Sequence, residues 1–177
     1  MIKIRITAEA LADILLAIHI CPVEISGLGR VRKINEEEFL IEEVIVFKQS
    51  CSRGGTEFDE NAYGFFLHTV MKEGRGSEIN SLRLWWHSHV YSRARWSRID
   101  NGNIRSFEGS DYIISIVGNK YNDLTVRFDR FGADKISLDG LGIFCDDIFR
   151  IKALMSERFD RMKKYVSENV TIVEEKS

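Results

Sequence analysis

Proline is nearly missing from this chain: Pro22 stands alone, and nowhere do proline, glycine and serine gather into a linker-like stretch. With no internal repeat either, the 177 residues are expected to form one domain, residues 1–177. Cysteine is scarce as well. Cys21, Cys51 and Cys145 are far apart, odd in number and without a C-x-x-C pair, which argues against a disulfide framework or a thiolate zinc knuckle and for a reducing, cytoplasmic setting. Long apolar runs are absent: none approaches the ~20 residues that cross a bilayer, and Met1 to Thr7 lacks the charged-then-apolar order of a signal peptide. No membrane association is expected. Neither sign of charge dominates, since 25 Lys and Arg face 27 Asp and Glu for a net charge of -2, which disfavours a protein built to grip a phosphate backbone. Aromatic residues, by contrast, are plentiful. Eleven Phe, five Tyr and three Trp within a 44% hydrophobic composition are enough to fill a single sizeable core.

Patterning supplies the elements. Ile2, Ile4 and Ile6 alternate with Lys3 and Arg5 as a short strand; Thr7 then caps a helix whose Leu11, Ile14, Leu15 and Ile18 keep helical spacing until Pro22. The β-branched stretches from Val23 to Ile34 and from Phe39 to Phe47 flank a turn at Asn35-Glu36 and predict paired strands. Ser50 to Glu57, with Gly54-Gly55, reads as a loop. Phe58, Ala62, Phe65, Phe66, Thr69 and Val70 predict a second helix closed by Gly74 and Gly76. Strands are predicted at Ser81 to His89, Tyr112 to Val117, Leu124 to Phe131 and Lys135 to Leu138. A closing helix is predicted over about 143–169, from the stripe Phe144, Ile148, Ile151, Met155, Phe159, Met162 and Val166, which serves either the core or a homodimer seam. Glu174 to Ser177 reads as a solvated tail. The sum is an α+β fold, layered α/β/α, with a mixed, largely antiparallel sheet flanked by helices.

The chemistry is concentrated in His87-Ser88-His89, seven further residues, Ser97, two more, and Asp100. In the strand, Arg83, Trp85, His87 and His89 fall on one face and Leu82, Leu84 and Trp86 on the other, so the two imidazoles point the same way. Two such rings near a strand end can meet one cation, and a carboxylate returning from the next turn supplies a third ligand. Three protein ligands leave a fourth position open, the arrangement of catalytic rather than structural zinc. By composition, the four-residue pattern arises by chance in about one chain in two thousand of this length. Ser97-x-x-Asp100 is also a helix capping box, and both roles are compatible.

His-Ser-His-x7-Ser-x2-Asp resembles the JAMM motif of the MPN/JAB metalloprotease family. Pro22-Val23-Glu24-Ile25-Ser26-Gly27-Leu28-Gly29 resembles that family's strand bearing the catalytic glutamate. The resemblance covers Ile2 to Leu138 and implies an MPN/JAB-like, cytidine-deaminase-like fold. It further implies one Zn2+ per chain held by His87, His89 and Asp100, with Glu24 as general acid/base and Ser97 steadying the oxyanion. The implied activity is a zinc metallopeptidase or isopeptidase, deubiquitinase-like, cutting at the C-terminal tail of ubiquitin, a ubiquitin-like protein or a peptide. Where the family has proline after the second histidine this chain has Val90, and its loop from Val90 to Trp96 is closer to prokaryotic or phage JAB proteins.

Two other functions stand beside this one: a non-catalytic MPN-fold interaction module, and a JAB-like factor linked to DNA metabolism. Arg93, Arg95 and Trp96, with Arg98 and Arg105, are a candidate substrate loop inside the motif; they suit an acidic partner, a nucleic-acid stacking patch or plain solvation. His19 and His68 are read as structural, and Cys145 as a small core residue on the last helix.

Overall fold

The structure is a computed structural model that describes residues 1–174; the last three residues of the expected tail lie outside the described residues. Strand β1 (Lys3–Ile6) leads into α1 (Ala8–Ile20), where the Thr7 hydroxyl accepts the Ala10 amide at 3.2 Å as the predicted cap. The helix ends when the Cys21 amide closes on Ala17 O, one residue before Pro22. Next come β2 (Ser26–Lys33), β3 (Glu38–Ile45), β4 (Gln49–Cys51), β5 (Thr56–Phe58) and α2 (Glu60–Lys72). They are followed by β6 (Leu82–Ser88), α3 (Arg98–Arg105), β7 (Tyr112–Gly118), β8 (Leu124–Arg130) and β9 (Ile136–Leu141). The chain closes with β10 (Ile143–Cys145), α4 (Ile151–Asn169) and β11 (Val170–Ile172).

Eight strands form the main sheet in the order β10-β1-β3-β2-β6-β7-β8-β9. The β10-β1, β1-β3 and β6-β7 pairs are parallel and the other four are antiparallel, so the fold is mixed α and β around a mostly antiparallel sheet. One face packs on α1 through Ile4, Phe39, Ile41, Trp86, Ile114 and Phe128, all essentially inaccessible. Each such side chain contributes roughly 1.5–3 kcal/mol by leaving water. The other face carries Leu28, Phe47, Trp85 and Ile113, against which Tyr63 and Phe66 of α2 and Ile104 of α3 pack. Among the described residues, no helix is long and apolar enough to cross a membrane.

Three expectations need correction. Phe58 closes strand β5 rather than opening the second helix, which Asp59 caps. The 50–57 segment is not a plain loop: β4 and β5 pair around Gly54-Gly55, and β11 adds in parallel to make a second, three-stranded sheet. Strands of three residues are too short for alternation to show. The closing helix begins at Ile151 rather than 143, because Ile143, Phe144 and Cys145 pair with Ile4, Arg5 and Ile6 at the sheet edge. Phe144 and Ile148 are therefore about half exposed, at 55% and 51%, and Cys145 sits on a strand rather than a helix. On α4 the inward residues are Leu154, Met162 and Val166, while Phe159 turns outward. The buried Asp13 carboxylate ties α1 to α4 by accepting from both Arg158 and Arg161.

Candidate functional site

Strand β6 lies between β2 and β7 near the middle of the sheet, and its C-terminal end carries the two histidines. As alternation predicts, Trp86 enters the α1-side core while Trp85 and His87 share the opposite face, their rings stacked at 4.5 Å and 17°. His89 lies one residue past the strand; its amide donates to Gly118 O at 2.9 Å and its Nδ1 lies 3.2 Å from Arg93 O. The next residue, Val90, has φ +45°, a left-handed conformation that β-branched side chains rarely adopt. The chain turns there towards α3.

Ser97 caps α3 with the predicted box: its Oγ accepts the Asp100 amide at 3.1 Å and Asp100 Oδ2 accepts the Ser97 amide at 2.6 Å. The box fixes the direction of a carboxylate that is itself buried. Asn101, on the same turn, donates to Ser97 O at 2.7 Å and accepts from Arg127 of β8.

These two anchors bring His87, His89 and Asp100 together. His87 Nε2 lies 3.1 Å from His89 Nε2 and 3.1 Å from Asp100 Oδ1, and His89 Nε2 lies 3.3 Å from Asp100 Oδ2. Donor atoms bound at ~2.0–2.1 Å to a tetrahedral zinc sit about 3.3 Å apart, so the spacing and the N2O donor set fit such an ion, and these three side chains could hold one. His87 Nδ1 is buried without a hydrogen-bond partner among the described residues, so stacking on Trp85 and the Nε2 contact with Asp100 hold that ring. Burial pushes His87 to lower basicity despite Asp100, whereas the hydrogen bond to Asp100 outweighs burial at His89 and raises it. Burial pulls the Asp100 carboxyl upward, but the bonds from His87 and His89 prevail and hold it well below the usual carboxylate range. An anionic carboxylate facing a buried imidazole of lowered basicity suits a cation, whereas the raised basicity of His89 means that a cation bound there displaces a proton.

The trio opens on a cavity of about 330 Å³. Glu24 lines its wall, half-buried, two residues before β2 rather than within a strand, with its amide donating to Ser52 O at 3.0 Å. Its charge also favours protonation of His89, after the larger effect of Asp100. Ser97 lines the cavity too; an Oγ that accepts the Asp100 amide keeps its proton for donation. Gly54, Gly55 and Thr56 of the β4–β5 hairpin, and Ile99 and Asn103 of α3, complete much of the lining. Sequence patterning did not select these five; no periodicity marks a hairpin turn that meets a distant strand end.

The candidate substrate loop is divided. Arg93 and Arg95 are exposed and are not among the cavity-lining residues. Trp96 is half-buried beside the cluster that includes Ile104 and Phe107, with its indole N–H on Asp139 Oδ1 at 2.7 Å. His19 lies 2.8 Å from Asn122 Oδ1, away from the site, and His68 is exposed on α2. No family model matches this chain, and no curated protein matches it.

Proposed function

We propose that this protein is a zinc-dependent metallopeptidase or isopeptidase with an MPN/JAB-like fold, acting at the extended C-terminal tail of a ubiquitin-like protein or peptide. The observation that carries the proposal is the convergence of His87, His89 and Asp100 on one point of a cavity that Glu24 and Ser97 also line. The motif resemblance, His-Ser-His-x7-Ser-x2-Asp, carried by the same residues, also supports it. His87 Nε2, His89 Nε2 and an Asp100 carboxylate oxygen would hold one zinc ion per chain. When bound, zinc polarises a substrate carbonyl and makes hydroxide accessible near neutral pH.

The chain's own residues supply the rest. The Glu24 carboxylate takes a proton from the attacking water and delivers it to the departing amine nitrogen. The Ser97 hydroxyl donates to the carbonyl oxygen as negative charge grows there, a contribution worth about 3 kcal/mol for a single donor of this kind. The capping box keeps Ser97 and Asp100 in fixed relation throughout. Gly55 leaves the hairpin side of the cavity open to an extended backbone, since a Cβ there meets nothing within 4 Å.

The test is cleavage of a panel of ubiquitin-like fusions and peptide conjugates by the purified protein, with a chelator and Glu24→Gln as controls. Cleavage lost in both controls supports the proposal. Stoichiometric zinc without Glu24-dependent cleavage of any conjugate would make the domain an interaction module instead.

A further inference from the structure

We infer that the cavity mouth is an electropositive rim that selects an acidic extended polypeptide, with carboxylate side chains on either side of the bond presented to His87, His89 and Asp100. This rests on the peptidase proposal and adds to it the charge of the substrate. The observation is how the arginines are distributed. Elsewhere in the molecule arginines hold carboxylates: Arg30 bridges Glu43 and Glu78, Arg127 clamps Asp129, and Arg158 grips Asp13. Arg130, without a carboxylate, donates to Glu36 O and covers the Phe128 ring. Among the described residues, Arg53, Arg93, Arg95, Arg98 and Arg105 have no carboxylate within 4.0 Å, and all five are exposed.

Their position is not random. Arg53 precedes Gly54 in the hairpin wall of the cavity; Arg93 follows Ser92; Arg98 lies between Ser97 and Ile99; and Ser92, Ser97, Ile99 and Gly54 all line that cavity. Arg95 lies within the same loop, and Arg105 is two residues beyond the cavity residue Asn103. The nearby Asp139 carboxylate is engaged by the Trp96 indole. Three cations within six residues, Arg93 to Arg98, repel one another, and an approaching anion relieves that repulsion. Guanidinium forks also match carboxylates in two-point geometry.

A polypeptide suits this rim better than a nucleic acid. The cations are clustered in sequence beside the lining residues of one cavity, and the chain as a whole is net -2 with them included, so a long polyanion meets repulsion beyond the mouth. Nor does the Trp96 ring offer a free stacking platform, packed as it is against the cluster that includes Ile104 and tilted over the His87 ring at 6.0 Å.

The experiment is fluorescence anisotropy on the full chain carrying Glu24→Gln, so that a bound peptide stays uncut. The probes are a fluorescein-labelled extended peptide rich in glutamate, its glutamine and lysine counterparts, and a single-stranded oligodeoxynucleotide of the same charge as the glutamate peptide. The glutamate peptide is expected to bind about tenfold more tightly than the glutamine peptide at low salt, with the ratio shrinking as ionic strength rises. Arg93→Gln, Arg95→Gln and Arg98→Gln combined should erase the preference, whereas Arg32→Gln, paired with Glu42 outside the rim, should keep it. Equal affinity for the first two peptides, or a preference that survives the triple variant, overturns the inference. Tighter binding of the oligonucleotide than of the glutamate peptide overturns it in favour of a nucleic-acid ligand. Charge-selective binding without Glu24-dependent cleavage by the wild-type chain would remove the peptidase and leave the rim; Glu24-dependent cleavage indifferent to peptide charge would do the reverse.

Discussion

The Arg127 guanidinium on β8 donates to Asn101 Oδ1 at 2.6 Å, and through Asn101 it holds the first turn of α3 against the sheet. Arg127 is itself fixed by two 2.8 Å bonds to Asp129, a residue only 4% exposed. Ser97 and Asp100 thus inherit their position from strand β8 as well as from their own cap. Asn101→Ala removes the tie without weakening the helix, since alanine is the best helix former. Its zinc affinity, measured by isothermal titration, is expected to fall about tenfold, in the range for groups that orient metal ligands, while Tm changes little. An unchanged Kd would show that the cap alone positions Asp100. Arg127→Gln is a poorer probe, because it strands the Asp129 charge in the interior.

Zinc should also be visible as stability. A ligand that binds only the folded chain adds RT ln(1 + [L]/Kd), about 2.7 kcal/mol at a hundredfold excess over Kd. Thermal melts of the wild type are expected to rise with zinc and to return with chelator. His89→Ala, in which one of three converging donors is gone, should lose the increment but still unfold cooperatively without metal, since His89 lies past the end of β6. A zinc-induced rise of the same size in His89→Ala would place the ion elsewhere.

Gly27 is a test of how tightly the site is backed. A Cβ there would lie 2.3 Å from Ile45 O and 2.6 Å from the Trp86 indole, so both flanking strands would have to move. Part of the crowding falls on β6, the strand whose pairing with β2 brings Ser26 opposite His87. Gly27→Ala is expected to cost about 3 kcal/mol or more, at the upper end for overpacking, measured by urea unfolding. At Gly102, where a Cβ meets nothing within 4 Å, the same change should be neutral or stabilising.

What could be read in the sequence is what local rules decide. Thr7 and Ser97 declared their caps by residue type and spacing, and alternation along Ser81 to His89 put Trp85 and His87 on one face. Strand β10 is not legible locally because Phe144 and Ile148 are four apart, a spacing that a helix uses but that also falls by chance across a strand and a turn. Gly54, Gly55 and Arg127 reach the site only through tertiary pairing, which has no local signature. Only the family resemblance singles out Glu24; nothing in the sequence around it distinguishes it from an exposed strand residue.

Alkaline unfolding should trace to the core rather than to the site. Tyr112 packs its ring 4.7 Å from Phe39 and 5.8 Å from Phe128, and burial, reinforced by Asp111 and opposed by Arg83, pushes its phenol up to about 12. In the unfolded chain the phenol ionises near ~10. The folded state therefore keeps the proton where the unfolded state has shed it, and stability that is fully present below about pH 10 is lost as pH rises through about 12. Tyr112→Phe keeps the ring and removes the titrating group, so its stability should fall less steeply across that window than the wild type's while matching it near neutral pH. Cys51, also pushed up to about 12 by burial, adds a parallel contribution, so the variant should flatten the profile in part and not wholly. Urea midpoints collected across the window decide the matter: identical slopes for the two proteins would mean that the Tyr112 phenol is wet in the folded state.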